Sequence, residues 1–126
     1  AIAVPNFLHA LQRAKQERAA IELAELARVI EANHAIEQRP LSDDWMPLTE
    51  AFDGLSKQVG PLSLTDPWEG PYLYRNRGDG YWLASFGSDG LPDVPAPEGL
   101  VSEPTQDLLL RDGEMVSWPG PPPGGR

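Results

Sequence analysis

Ile21-Glu22-Leu23-Ala24-Glu25-Leu26-Ala27-Arg28-Val29-Ile30 decides how the rest of this chain is read. Leu23, Leu26, Ala27 and Ile30 recur at spacings of three and four, which places them on one face of an α-helix. The stretch lies within residues 6–37, which hold neither Gly nor Pro. The spacing predicts one helix over 6–37, about 45 Å long at ~1.5 Å per residue. Leu8, Leu11, Ala14 and Arg18 continue a similar stripe toward the N-terminus, with Ile21, Val29 and Ile36 on neighbouring positions. Glu22 with Arg18, and Glu25 with Arg28, are spaced for local ion pairs. Arg39-Pro40 is expected to end the helix, because the residue before a proline is pushed out of the α region. Pro5 lacks the N–H that the ladder uses, so the helix should start, kink or loosen there.

A helix of that length is too long for a domain of 126 residues to cover. Its upper end is therefore expected to project or to pack on neighbours. Residues 1–8, Ala-Ile-Ala-Val-Pro-Asn-Phe-Leu, read as the lower part of a longer apolar helix. A full membrane span needs roughly 20 apolar residues, so this stretch is only the tail of one.

Beyond the helix, residues 40–67 read as a connection. Leu48, Ala51, Phe52, Leu55 and Val59 suggest one short helix, N-capped by Asp43, Asp44 or Thr49 and closed by Gly60-Pro61. Residues 72–86 alternate like a hairpin, with Arg77-Gly78-Asp79-Gly80 at its tip. Residues 87–106 are irregular. Residues 107–118 form a second hairpin around Asp112-Gly113, a strong short-range turn signal. One long helix and four antiparallel strands predict an α+β fold of two layers, sheet on helix. The chain divides into a helical part (1–39), a globular part (40–118) and a Pro/Gly-rich tail (119–126).

Charge is distributed unevenly. Residues 1–39 balance five basic against five acidic side chains, while residues 40–126 carry five basic and fourteen acidic, so the net charge of −9 sits there. Such a surface repels phosphate and argues against nucleic-acid binding. It is compatible with a hard cation such as calcium. There is no cysteine, which excludes a disulfide framework and a thiolate metal site. His9 and His34 stand 25 residues apart on one helix and cannot share a metal. No nucleophile elbow, phosphate-binding Gly-rich loop or His-Glu-x-x-His run is present, and the chain is expected not to be an enzyme. Trp45, Trp68, Trp82 and Trp118 are read as core and edge packing.

Four stretches occur in a telling order: Ala1-Ile2-Ala3-Val4-Pro5-Asn6-Phe7 through Ala14-Lys15-Gln16; Asp66-Pro67-Trp68-Glu69-Gly70-Pro71-Tyr72; Gly80-Tyr81 through Ser85-Phe86-Gly87-Ser88-Asp89-Gly90; and Asp107-Leu108. Together they resemble the major pseudopilin family of bacterial type II secretion systems, within the type IV pilin-like superfamily. Two departures stand out. Glu69-Gly70 replaces the family's Gly-Asn, which should reshape that turn. The segment after Gly90 is rich in Pro rather than Gly.

The resemblance implies a pilin-like fold and a structural subunit of a periplasmic filament that drives protein export across the outer membrane. It implies partners: further copies of the chain, minor pseudopilins and inner-membrane components of the secretion machinery. It also implies an inner-membrane anchor upstream of Ala1, following a Gly-Phe-Thr-Leu-x-Glu-like processing site with a methylated N-terminus. A calcium ion is the implied cofactor, held by the Asp89 and Asp107 carboxylates and the Phe86 carbonyl, with Asp93, Glu98 or Glu103 adding another ligand. The alternatives are a type IV pilin for adhesion, motility or DNA uptake, and a small carbohydrate- or peptide-binding module using the Trp side chains and loop carboxylates.

Overall fold

The four side chains that set the helical period form the floor of the core: Leu23, Leu26 and Ile30 are fully buried and Ala27 nearly so. A computed structural model describes residues 3–34, 38–92, 99–101 and 106–119. Helix α1 runs Ala3–Asn33, followed by β1 (Ser42–Pro47), the single turns α2 (Leu48–Ala51) and α3 (Leu55–Gln58), β2 (Leu73–Asn76), β3 (Tyr81–Ser85), β4 (Gly99–Val101), β5 (Leu108–Arg111) and β6 (Glu114–Pro119). The architecture is α+β, with α1 packed across one face of the sheet.

The strand order is β1-β2-β3-β5-β6-β4. The first five strands in this order pair antiparallel through four ladders, and β4 joins β6 in parallel at the far edge. The sheet thus has six strands rather than the expected four; both expected hairpins are present, and β1 and β4 are additional. Propensity argued against β1, since Asp43, Asp44 and Pro47 are poor strand residues. An edge position admits them: the two carboxylates stay exposed, and Pro47 falls at the strand's end.

Three further expectations are corrected. Helix α1 stops at Asn33, short of Arg39-Pro40, where the Asn33 side-chain amide donates to the Val29 carbonyl and competes with the ladder. The expected helix over 48–59 is two turns interrupted at Phe52-Asp53-Gly54. Their N-cap residues are Pro47 and Gly54, neither making a side-chain cap, so Asp43, Asp44 and Thr49 do not serve that role. Glu22 accepts a hydrogen bond from the Tyr72 hydroxyl and forms no ion pair with Arg18 among the described residues, while the Glu25–Arg28 pair forms as expected. Pro5 lies in the first turn of α1, where backbone N–H groups have no ladder partner in any case.

Tyrosines fasten the helix to the sheet. Tyr72 on the approach to β2 donates to Glu22, and Tyr81 on β3 donates to Glu31 Oε2 at 2.6 Å. The two carboxylates are nine residues apart, about 13.5 Å along the helix axis. Tyr74 donates to the Pro40 carbonyl at 2.6 Å and packs edge-on against Phe52. All three rings are buried between α1 and the sheet. A second, smaller cluster occupies the other face of the sheet, where Ala84, Phe86 and Leu109 are flanked by Trp45, Leu73, Trp82 and Val116.

Turn chemistry sets both hairpins. Asp112 (φ 51°) and Gly113 (φ 90°) adopt the two left-handed conformations that a two-residue hairpin turn requires. The Asp112 carboxylate also accepts the Tyr81 N–H at 3.1 Å, tying this turn to β3.

Candidate functional site

Two regions bear on function: the end of the sheet where the resemblance places a cation, and the outward face of α1. The first is built on the end of β3. Ser85 pairs with Leu108, so Phe86 and Asp107 are the next residues beyond the last pair and lie alongside one another. Gly87 (φ 75°) then turns the chain into a single 3-10 turn over Gly87–Asp89, and Gly90 (φ 66°) ends it. L-residues with a Cβ adopt these angles at a cost, which accounts for glycine at both positions.

The three expected ligands differ in setting. Asp107 is buried, and its carbonyl accepts the Ser117 hydroxyl at 2.9 Å. Phe86 is largely buried and stands edge-on to Trp45, ring centroids 5.5 Å apart. Asp89 is exposed, and its Oδ1 accepts the Leu91 N–H at 3.1 Å. The register brings Phe86 and Asp107 together, with Asp89 three residues further along the same end. Asp93, Glu98 and Glu103 lie outside the described residues. Among the described residues no three His, Cys, Asp or Glu side chains gather in a group fit to hold a metal. Carboxylate and carbonyl oxygens are the donors calcium takes, but it takes six to eight of them, more than Asp89, Asp107 and Phe86 supply.

The same end of β3 holds a carboxylate that sequence reasoning treated only as part of a motif. Asp66 is buried, and its Oδ1 accepts the N–H groups of Trp68 at 3.0 Å and Gly70 at 2.8 Å. Its Oδ2 accepts the Ser85 hydroxyl at 2.8 Å. From this turn the Trp68 indole reaches α1, donating to Gln12 Oε1 at 2.8 Å. Asp66 thus joins the 65–71 turn to β3, and Trp68 joins it to the helix. The signal was the Asp-Pro-x-x-Gly spacing, which suits a side chain capping its own turn. Glu69 holds the left-handed position here (φ 71°), at the place where the resembled motif has glycine, whereas Gly70 does not.

The second region is α1 itself. Its first buried described side chain is Gln16, followed by Ala19; Ala10, Leu11 and Ala14 are exposed, as is Ile21 further down. Leu11 is 42% and Ile21 64% exposed, high for large apolar side chains on a helix whose inner face is dry. Among the described residues no helix is long and apolar enough to cross a membrane. No family model, curated protein or solved structure matches the chain.

Proposed function

We propose that this chain is a non-enzymatic, pilin-like assembly subunit, of the pseudopilin kind that the sequence motifs resemble. Copies stack their α1 helices into a filament, with the acidic sheet domains outward. The observation that carries this reading is the outward face of α1: a 31-residue helix leaves Leu11 and Ile21 exposed, and among its described side chains the first buried one is Gln16. A contiguous exposed apolar stretch marks an interaction surface, and Ala10, Leu11 and Ala14 form one on the upper part of the helix. A contact that does not close under rotation produces a fibre. On this reading the globular domain works in the bacterial periplasm, anchored in the inner membrane by sequence upstream of Ala1. Further copies, minor pseudopilins and inner-membrane secretion components are its partners.

The chain has no cysteine, so single-cysteine probes report cleanly. With Leu11→Cys or Ile21→Cys in the chain carrying its upstream sequence, cross-linking in producing cells should give a ladder at multiples of the subunit mass. The 126-residue chain alone should sediment as a monomer. A tight oligomer of that short chain, or no ladder from either position, would count against assembly through α1.

Calcium belongs to the same reading, with Asp89, Asp107 and the Phe86 carbonyl as ligands. An ion bound only by the folded state stabilises it by about 2.7 kcal/mol at a hundredfold excess over Kd. Melting temperature should rise with calcium and fall with a chelator, and Asp89→Ala should erase the difference. Identical melting in calcium and chelator would remove the ion and leave the filament reading standing.

A further inference from the structure

On the sheet face turned away from α1, four strands contribute one side chain each to a single row: Trp45 of β1, Arg75 of β2, Trp82 of β3 and Arg111 of β5. Arg75 pairs with Trp82, and Trp82 with Arg111. The Met46–Tyr74 pairing places Trp45 beside Arg75. The Arg75 guanidinium lies 4.5 Å from the Trp45 ring centroid and 5.8 Å from that of Trp82. The Arg111 guanidinium lies 5.4 Å from the Trp82 centroid. Aromatic and cation alternate across the sheet.

We propose that this row is a docking surface for a peptide segment bearing two carboxylates, a site independent of assembly through α1. Three observations converge on that partner. Stacking on an indole orders a guanidinium in advance and leaves its N–H edge for in-plane, bidentate bonds to an oxyanion. Arg75 enters none of the ion pairs among the described residues, and Arg111 is exposed, with its Nη2 donating to the Asp79 carbonyl and lying 3.6 Å from the Asp79 carboxylate. Residues 40–126 hold only five basic side chains against fourteen acidic, yet Arg75 and Arg111 share this row and Arg77 lies two residues on.

The net charge of −9 opposes long polyanions at a distance, which disfavours nucleic acid and polyphosphate. Guanidiniums lie over both indoles of the row, so sugar rings find less open aromatic face to stack on. A short segment with a few carboxylates carries far less charge against that field and needs no open aromatic face. Arg75 and Arg111 stand two strands apart, about 10 Å. A peptide in the polyproline II conformation covers that distance in three residues at ~3.1 Å each and, with three residues per turn, presents positions i and i+3 on one side, so the pattern recognised is an Asp or Glu followed three positions later by another.

The test titrates the intact chain at low salt with a neutral-ended synthetic peptide holding two glutamates three positions apart, followed by indole fluorescence and calorimetry. Controls are the same peptide with glutamines and an oligogalacturonate of equal charge. Saturable binding of the glutamate peptide alone is expected, weakened about tenfold by Arg75→Gln or Arg111→Gln and less by Arg→Lys, which keeps charge but loses the planar fork. Circular dichroism checks folding; if Arg75→Gln unfolds, the exposed Arg111 carries the comparison. No saturable binding, equal binding of the glutamine peptide, undiminished binding by a folded Arg111→Gln variant, or tighter binding of the saccharide would each overturn the proposal.

Discussion

Above pH 10 the folded state is expected to lose stability steeply, because all three tyrosines of the chain are held un-ionised inside it. Burial pushes the Tyr72 and Tyr81 phenols up from their ordinary value of 10.0, reinforced by the hydrogen bonds to the Glu22 and Glu31 carboxylates. Burial also raises Tyr74, opposed by its hydrogen bond with Asn76 and by Arg39. The folded chain therefore binds more protons than the unfolded chain once pH passes 10, so the free energy of unfolding falls as pH rises. Each phenol contributes a slope of up to about 1.4 kcal/mol per pH unit, about 4 kcal/mol per unit for the three together. Below pH 10 the contribution is fully present and flat. Phenolate absorbance and far-UV circular dichroism should change together in an alkaline titration, and Tyr81→Phe should reduce the slope by about a third. A tyrosine that titrates near pH 10 while the fold stays intact would contradict this placement of the rings.

Asp66→Ala should lower the unfolding free energy by about 2–5 kcal/mol, measured by urea denaturation. The substitution strands two backbone N–H groups and the Ser85 hydroxyl, all bonded to one buried carboxylate. An orphaned group that is fully buried costs about 1–3 kcal/mol, and the Trp68 and Gly70 N–H groups, only partly buried, cost less than the Ser85 hydroxyl. Asp66→Asn keeps an acceptor for the N–H groups and should cost distinctly less. A loss for Asp66→Ala within the range of ordinary surface substitutions, about 0.5 kcal/mol, would mean that the turn holds by its backbone alone.

The helix was legible because its signal is redundant: Leu23, Leu26, Ala27 and Ile30 repeat one period over two turns, and all are buried. The hairpins were legible through alternation and through Asp112-Gly113, whose φ values suit the turn. Strand β1 was hidden because Ser42-Asp43-Asp44 reads as a cap, and only pairing with β2 makes it a strand. Edge strands obey their neighbours more than their own composition. The break at Gly54 was hidden because Leu48, Phe52 and Leu55 are buried whether one helix or two turns present them.

The candidate site was read less completely. Phe86 and Asp107 are neighbours because of strand register, which the hairpin assignments implied but did not state. The departure at Glu69-Gly70 was expected to reshape its turn, and in the structure the left-handed φ of 71° falls on Glu69. That conformation costs an L-residue about 1–2 kcal/mol, and the Asp66 hydrogen bonds offset it. The Trp–Arg row escaped notice entirely, since each member lies on a different strand and no local spacing links Trp45, Arg75, Trp82 and Arg111.

The tyrosine fastenings also have a consequence for the order in which the protein is made. Tyr72 and Glu22 are separated by 50 residues, as are Tyr81 and Glu31. The helix leaves the ribosome first, and the rings that will cover it are still to be synthesised. At roughly 5–20 residues per second, its stripe of Leu23, Leu26 and Ile30 waits about 3–10 s for each ring. During that interval the nascent chain is a bare amphipathic helix, open to any chaperone or targeting factor that reads apolar helices. The sheet closes this window when it docks, and it does so late, because contacts between distant parts of a chain form slowly.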